Sequence, residues 1–308
     1  MKELFYFLIF PGLAFAASVG GLLSWYDRKV TAMVQFRKGP PLLQPLYDFL
    51  KLLLVKETIV PAKGSVSTFL LSPMVGLFGA ISATILILIP AFGLGDGFGG
   101  DIIVIFYLLN LPPLAYILGA MASGNPLASV GASREIKLLL SYELTFILIL
   151  SAIIVKSDMS IRVSEILLAQ QGGAFVGSIS GILLFVALLF VVQAKLGLVP
   201  FDIAEAETEI NHGSFIEYSG TPLALVTLTK YIMLFCLPAL VITLLGGGLP
   251  LEGWGTVFSL LKVLGVVLLI TLIRNTNPRV RIGQAMRFFF LWLNLIVIVA
   301  IVLTLMGY

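Results

Sequence analysis

An all-α, polytopic membrane bundle of about eight transmembrane helices is the fold this sequence predicts, with a long amphipathic loop after the first helix. Two observations predict it. Of 308 residues, 59% are hydrophobic and 11% are charged, with a mean hydropathy of +1.09, whereas a soluble domain carries about 25% charged residues. Apolar runs of roughly 18 or more residues, each able to cross a hydrocarbon core of about 30 Å as a helix, recur at 4–24, 72–92, 102–121, 138–155, 177–194, 222–245, 256–273 and 286–307. Residues 1–308 therefore read as a single membrane domain.

The first run follows Lys2 and contains Ala14-Phe15-Ala16, which imitates a signal-peptide cleavage site. It continues to Leu23 and meets Asp27-Arg28-Lys29 as a stop, so it is read as a span. The loop from 25 to 71 then carries Gln35-Phe36-Arg37-Lys38-Gly39-Pro40-Pro41 and Leu43-Gln44-Pro45. From Pro45 to Val55 the pattern suits a helix starting at proline, with Asp48 and Lys51 spaced i,i+3. Too short to span, it belongs in the interface or against neighbouring helices. Arg37 and Lys38 are either a basic surface loop or a docking point for a soluble partner.

The glycines of Gly93 to Gly100 lack a following Lys-Ser or Lys-Thr and do not form a phosphate loop. In the fourth span, Glu143 lies six residues beyond Lys137, about 9 Å deeper at 1.5 Å per residue. An ionisable group in the apolar layer is a functional candidate. The structural alternative pairs Glu143 with Lys230 or Lys262 from another helix. The single Cys236 lies in an apolar run, which excludes an internal disulfide or a cysteine-ligated cluster within this chain and suits a small buried residue. The single His212, in an Asn-His-Gly turn, suits a helix end, with ligation or a proton relay as the alternative.

The loop from 195 to 221 holds Asp202, Glu205, Glu207, Glu209 and Glu217, five of the sixteen acids, and no Lys or Arg occurs between Lys195 and Lys230. Such crowding beside a membrane predicts raised pKa values and proton exchange near neutral pH. Asp202 and Glu205 also fit a helix capping box, which would explain those two without transport. Glu205 and Glu209, at i,i+4, would share a helix face and repel.

Charge orients the bundle, because Lys and Arg are retained on the cytoplasmic face. Loops after the odd-numbered spans hold fourteen cations: Arg28, Lys29, Arg37, Lys38, Lys51, Lys56, Lys63, Arg134, Lys137, Lys195, Arg274, Arg279, Arg281 and Arg287. The other side holds Lys2, Lys156 and Arg162. A multi-pass plasma-membrane protein with both termini outside and the acidic loop in the cytoplasm is expected. The net charge of +3 reflects this asymmetry; no basic stripe with interleaved aromatics points to nucleic acid.

Several motifs occur together in order: Gln35-x-Arg37-x-Gly39-Pro40 with Leu43-Gln44-Pro45-x-x-Asp48-x-x-Lys51; Gly131-Ala132-Ser133-Arg134 through Ser141-Tyr142-Glu143; Phe201-Asp202-x-x-Glu205-x-Glu207-x-Glu209 with Glu217-Tyr218-Ser219-Gly220; and Asn277-Pro278-Arg279-x-Arg281. The chain resembles the eight-helix subunit of respiratory complex I that joins the membrane arm to the peripheral arm beside the quinone chamber. The same family supplies the equivalent subunit of energy-converting, membrane-bound [NiFe] hydrogenases of the formate hydrogenlyase type. The compact Gly39-Pro40-Pro41 stretch, the Glu205-Ala206-Glu207-Thr208-Glu209 form of the acidic loop, and Lys230-Tyr231 in the sixth span resemble the hydrogenase side.

That resemblance implies a coupling subunit without cofactors of its own. Iron–sulfur clusters and a nickel–iron centre would sit on partners: hydrogenase-like large and small peripheral subunits and an iron–sulfur subunit fed by ferredoxin. Antiporter-like membrane subunits would move protons or sodium ions. Glu143, Asp202, Glu205, Glu207, Glu209 and Glu217 would begin a charged path into the membrane, with Lys230 as electrostatic partner. Arg37, Lys38, Asp48, Lys51 and Arg134 would face the cluster-bearing subunits. A related sulfur or polysulfide reductase, a quinone-linked complex I, a stand-alone ion transporter and a passive assembly anchor remain alternatives, although the two halves show no internal repeat of the transporter kind.

Overall fold

The computed structural model describes residues 2–97 and 100–307, except for the side chains of Lys2, Glu3, Glu207 and Thr208. In chain order the α-helices are α1 (Lys2–Leu8), α2 (Leu13–Val34), α3 (Gln44–Leu50), α4 (Val66–Ala91), α5 (Asp101–Leu108), α6 (Leu111–Ala122), α7 (Pro126–Lys156), α8 (Val163–Ala169), α9 (Ile179–Lys195), α10 (Glu207–Ile210), α11 (Gly220–Leu245), α12 (Trp254–Thr276), α13 (Ile282–Arg287) and α14 (Asn294–Leu305). Among the described residues, seven helical stretches are long and apolar enough to cross a membrane, and α9 adds a shorter apolar helix of 17 residues. At 1.5 Å per residue α9 reaches about 25 Å. These eight coincide with the eight apolar runs.

Helix α11 is the hub. From Tyr231 to Leu245 every residue is buried, as expected for a helix that is apolar on all sides. It packs against α2, α4, α9 and α12. Gly20 makes the α2 crossing possible: a Cβ there would overlap the backbone carbonyl of Tyr231. Helix α7 forms the second axis, against α6, α9 and α14.

The first loop is shorter than the sequence suggests. Helix α2 continues through Trp25 and Asp27-Arg28-Lys29 to Val34, and α4 begins at Val66. The charges read as a stop are absorbed by the bundle instead. Asp27, 7% exposed, accepts from Arg274 at 2.6 Å and from Thr271 at 2.8 Å. Helix α7 likewise starts twelve residues before its apolar run, capped by Asn125, whose side chain accepts from Leu127 N at 2.8 Å.

Two interruptions matter for the site. The third span breaks between α5 and α6 at Leu109-Asn110, because Pro112 and Pro113 carry no N–H for a continuous ladder. The last span carries a π segment, Phe288–Leu293, between α13 and α14. Helix α3 has proline in its first turn and passes into a second π segment at Lys51–Val55.

Candidate functional site

The acidic segment contains no cation, yet each of its described carboxylates meets a donor from another element. Asp202 pairs with Arg279 at 2.9 Å. Glu205 takes the Lys230 ammonium between its two oxygens, at 2.8 and 2.7 Å. Glu209 pairs with Arg134 at 2.6 Å, and Glu217 accepts from Asn125 Nδ2 at 2.5 Å. The Glu207 side chain lies outside the described residues.

The expected capping box does not form. Helix α10 begins at Glu207 with Ala206 before it and no side-chain cap, while Asp202 and Glu205 lie in irregular chain and turn to their own cations. Glu205 and Glu209 share no helix face, since only Glu209 is helical. The pairing also replaces the expected mutual crowding. Fixed positive charge on α7, α11 and the linker after α12 separates the acids, which lowers their repulsion. Asp202 is held above the usual aspartate range: burial raises it most, Arg279 opposes, and the charge of Glu205 adds. His212 has the left-handed backbone of a helix end, after Asn211 closes α10. Tyr218 anchors the far end of the segment, stacked on Phe69 at 4.2 Å and bonded to Ser72 at 2.9 Å; burial pushes its hydroxyl above its ordinary pKa.

Beneath the segment lies a cavity of about 30 Å³, lined by Tyr116, Glu135, Lys195, Asp202, Glu205 and Lys230 among others. That is space for about one water molecule. Lys195, at the end of α9, donates to Asn110 Oδ1 at 2.6 Å and lies over the rings of Tyr142 and Phe146 at 4.9 and 5.2 Å. Its charge acts on both Glu135 and Glu143, and Glu135 also feels Lys230 and Glu205. The charged groups thus alternate in sign from Glu205 through Lys230, Glu135 and Lys195 to half-buried Glu143. Such a series holds charge inside an apolar bundle with each member compensated by its neighbours.

Neither sequence-expected cation partners Glu143. Lys230 is committed to Glu205, and Lys262 donates to the carbonyls of Gly246 and Gly248 at 2.7 and 3.3 Å. Glu135, Lys195, Asn110 and Tyr116 do not stand out as site residues in the sequence. Asn110 before Pro112-Pro113 was a legible sign of a broken span, and Lys195 reads as a loop residue because it ends an apolar run. Only the packing of α6, α7, α9 and α11 brings them together.

The residues expected at a partner interface sit elsewhere on the same end. Asp48 folds back onto Arg28 at 2.7 Å and accepts from Gln44 at 2.7 Å, leaving Lys51 exposed. Arg37 bonds Gln35, and Lys38 lines a cavity of about 280 Å³ with Arg28 and Arg274. Arg134 is tied to Glu209 and to the carbonyl of Ile203 at 3.4 Å. Arg37 and Lys38 are thus exposed, whereas Asp48 and Arg134 are bound within the chain.

Comparison with known proteins accords with this architecture. The NADH dehydrogenase family model matches residues 7–305. A membrane chain of the NADH-quinone oxidoreductase of Rhodospirillum rubrum is 32% identical over 279 residues, covering 86% of this chain and 82% of the relative. The corresponding chain of the Geobacillus kaustophilus NADH-quinone oxidoreductase is 33% identical over 293 residues, covering 90% and 86%. A chain of the membrane-bound sulfane sulfur reductase, an archaeal respiratory membrane complex, superimposes with a TM-score of 0.82 at 30% identity, over 95% of this chain and 96% of that one. The all-α bundle, the order of its spans and these relatives together assign the chain to the NADH dehydrogenase family, as a multi-pass membrane subunit of the complex I-like kind.

Proposed function

We propose that this chain is the junction subunit of an energy-converting, membrane-bound [NiFe] hydrogenase complex, in which electron transfer on soluble partners drives proton or sodium translocation in the membrane. The observation that carries the coupling role is the sign-alternating series Glu205, Lys230, Glu135, Lys195 and Glu143, running from the acidic loop into the bundle. A change of charge or position at the loop alters the field on Lys230, then on Glu135 and Lys195, and so reaches Glu143. Asp202, Glu209 and Glu217 fix the loop through Arg279, Arg134 and Asn125. Coupling of this kind requires that both ends bias one switchable element.

The hydrogenase assignment rests on the Glu205-Ala206-Glu207-Thr208-Glu209 loop, the compact Gly39-Pro40-Pro41 stretch and Lys230-Tyr231. The 2.7 Å bond from Lys230 to Glu205 adds to it, because it fills the cavity floor with a closed ion pair. A ferredoxin-fed sulfane sulfur reductase is the second reading, favoured by the TM-score of 0.82 to a chain of such a complex. The excess of cations on one side supports both termini outside and the acidic loop in the cytoplasm.

Gentle isolation of the complex tests the assignment. Nickel, together with a large subunit carrying two Cys-x-x-Cys pairs, is the expected result. Sulfur reduction without nickel supports the second reading, and a functional homo-oligomer of this chain alone would overturn both.

A further inference from the structure

We infer that Phe36 is the anchor by which a soluble partner docks on the basic end of the bundle, its ring entering an apolar pocket in that partner whose rim is acidic. The inference rests on the junction reading above and names the contact that reading leaves open.

Phe36 is 99% exposed and has φ of 54°. A bulky residue in the left-handed region is uncommon and strained, and such strain clusters at binding and switching sites. The turn that holds it is bonded on every side. Phe36 N donates to Met33 O at 3.1 Å and Arg37 N to Ala32 O at 2.7 Å. Gln35 donates to Asn275 at 3.3 Å, and Trp25 Nε1 to Pro40 O at 3.1 Å. A glycine or asparagine would satisfy this backbone without strain; the chain instead presents a full aromatic ring from a fixed turn, with Met33 and Val34 exposed beside it.

Height and charge identify what covers the ring. Phe36 follows Arg28 by eight residues, which carries it about 10 Å past the Asp27–Arg274 and Arg28–Asp48 ion pairs that close the apolar span. It therefore stands on the water side of the bilayer, where a protein surface and not hydrocarbon meets it. Arg28, Lys29, Arg37, Lys38 and Arg274 surround the turn, and among the described residues Asp27 and Asp48 are the acids that answer two of these five. The adjoining cavity of about 280 Å³ between Arg28, Arg37, Lys38 and Arg274 has room for an acidic side chain. An aromatic anchor flanked by excess positive charge is the arrangement of an interface hot spot with a complementary acidic rim.

Phe36→Cys in the intact complex provides the test, because Cys236, the native cysteine of this chain, is fully buried. A charged, membrane-impermeant maleimide should label position 36 in membranes stripped of soluble subunits and fail to label it in the assembled complex. Equal labelling in both overturns the inference; absence of labelling in both shows that lipid covers the ring and also overturns it. Phe36→Ala and Phe36→Gly should each weaken retention of the soluble subunits about tenfold or more in co-purification, while the membrane partners stay bound. Wild-type retention in Phe36→Ala overturns the anchor and leaves the junction reading intact. A wild-type chain that retains no soluble partner overturns the junction reading itself.

Discussion

Replacing Lys230 with Met removes the ammonium that closes the acidic loop and keeps most of the side-chain volume. In the wild type that ammonium makes two charge-assisted bonds to Glu205, at 2.8 and 2.7 Å, and lies 4.5 Å over the Phe215 ring. Two such bonds at about 1.5–3 kcal/mol each set a gross ceiling near 6 kcal/mol. The side chains are 37% and 29% exposed, so solvent screening brings the net coupling down to about 1–3 kcal/mol. Loop opening should become more favourable by that amount, and amide exchange across residues 200–216 should accelerate about 5- to 150-fold. The assay is hydrogen exchange read by mass spectrometry on the detergent-solubilised complex. A double-mutant cycle with Glu205→Gln isolates the pair. Lys230→Met should also reduce ion uptake into proteoliposomes per turnover more than it reduces electron transfer itself. Unchanged exchange over 200–216, or a coupling below about 0.5 kcal/mol, would refute the claim that this pair holds the loop.

Three further outcomes follow from the geometry. Glu143→Gln, in a complex that still assembles, should lower coupled turnover by about tenfold or more, and wild-type turnover with wild-type pumping would remove Glu143 from the path. Gly20→Ala should destabilise the α2–α11 crossing by about 1–3 kcal/mol, because the added Cβ meets backbone that cannot yield. Its neighbour Gly21→Ala faces open space and should be neutral or gain up to about 1 kcal/mol; equal thermal midpoints for the two variants would contradict the packing. Asp202 is raised chiefly by burial, so the native state holds a proton that the unfolded chain has released. Its contribution is therefore full below the ordinary aspartate value of about 4 and is lost as pH rises through the higher folded value. Asp202→Asn should flatten that part of the melting-temperature profile, and an unchanged profile would rule the group out.

Which parts were legible depended on whether the signal was local. The spans were legible because crossing a membrane demands about twenty apolar residues in a row, and the broken third span had its cause, Pro112-Pro113, in plain view. The capping box was misread for an equally local reason: Asp202 and Glu205 have the correct spacing, but Arg279 and Lys230, 77 and 25 positions away by number, provide charges that a backbone N–H cannot match. The stop at Asp27-Arg28-Lys29 failed in the same way, because Arg274 and Thr271 arrive from α12.

The sequence by itself determined the membrane class, the eight apolar crossings, the concentration of acids between Lys195 and Lys230, and the motifs of the family, all of which depend on composition and on neighbours along the chain. Tertiary structure decided which charge answers which. Glu135 and Lys195 join the series only because α7 and α9 pack side by side, and Lys230 closes on Glu205 only because α11 passes beneath the loop. Electrostatic partnership depends on distance through space and on excluded water, and a linear order of residues carries neither.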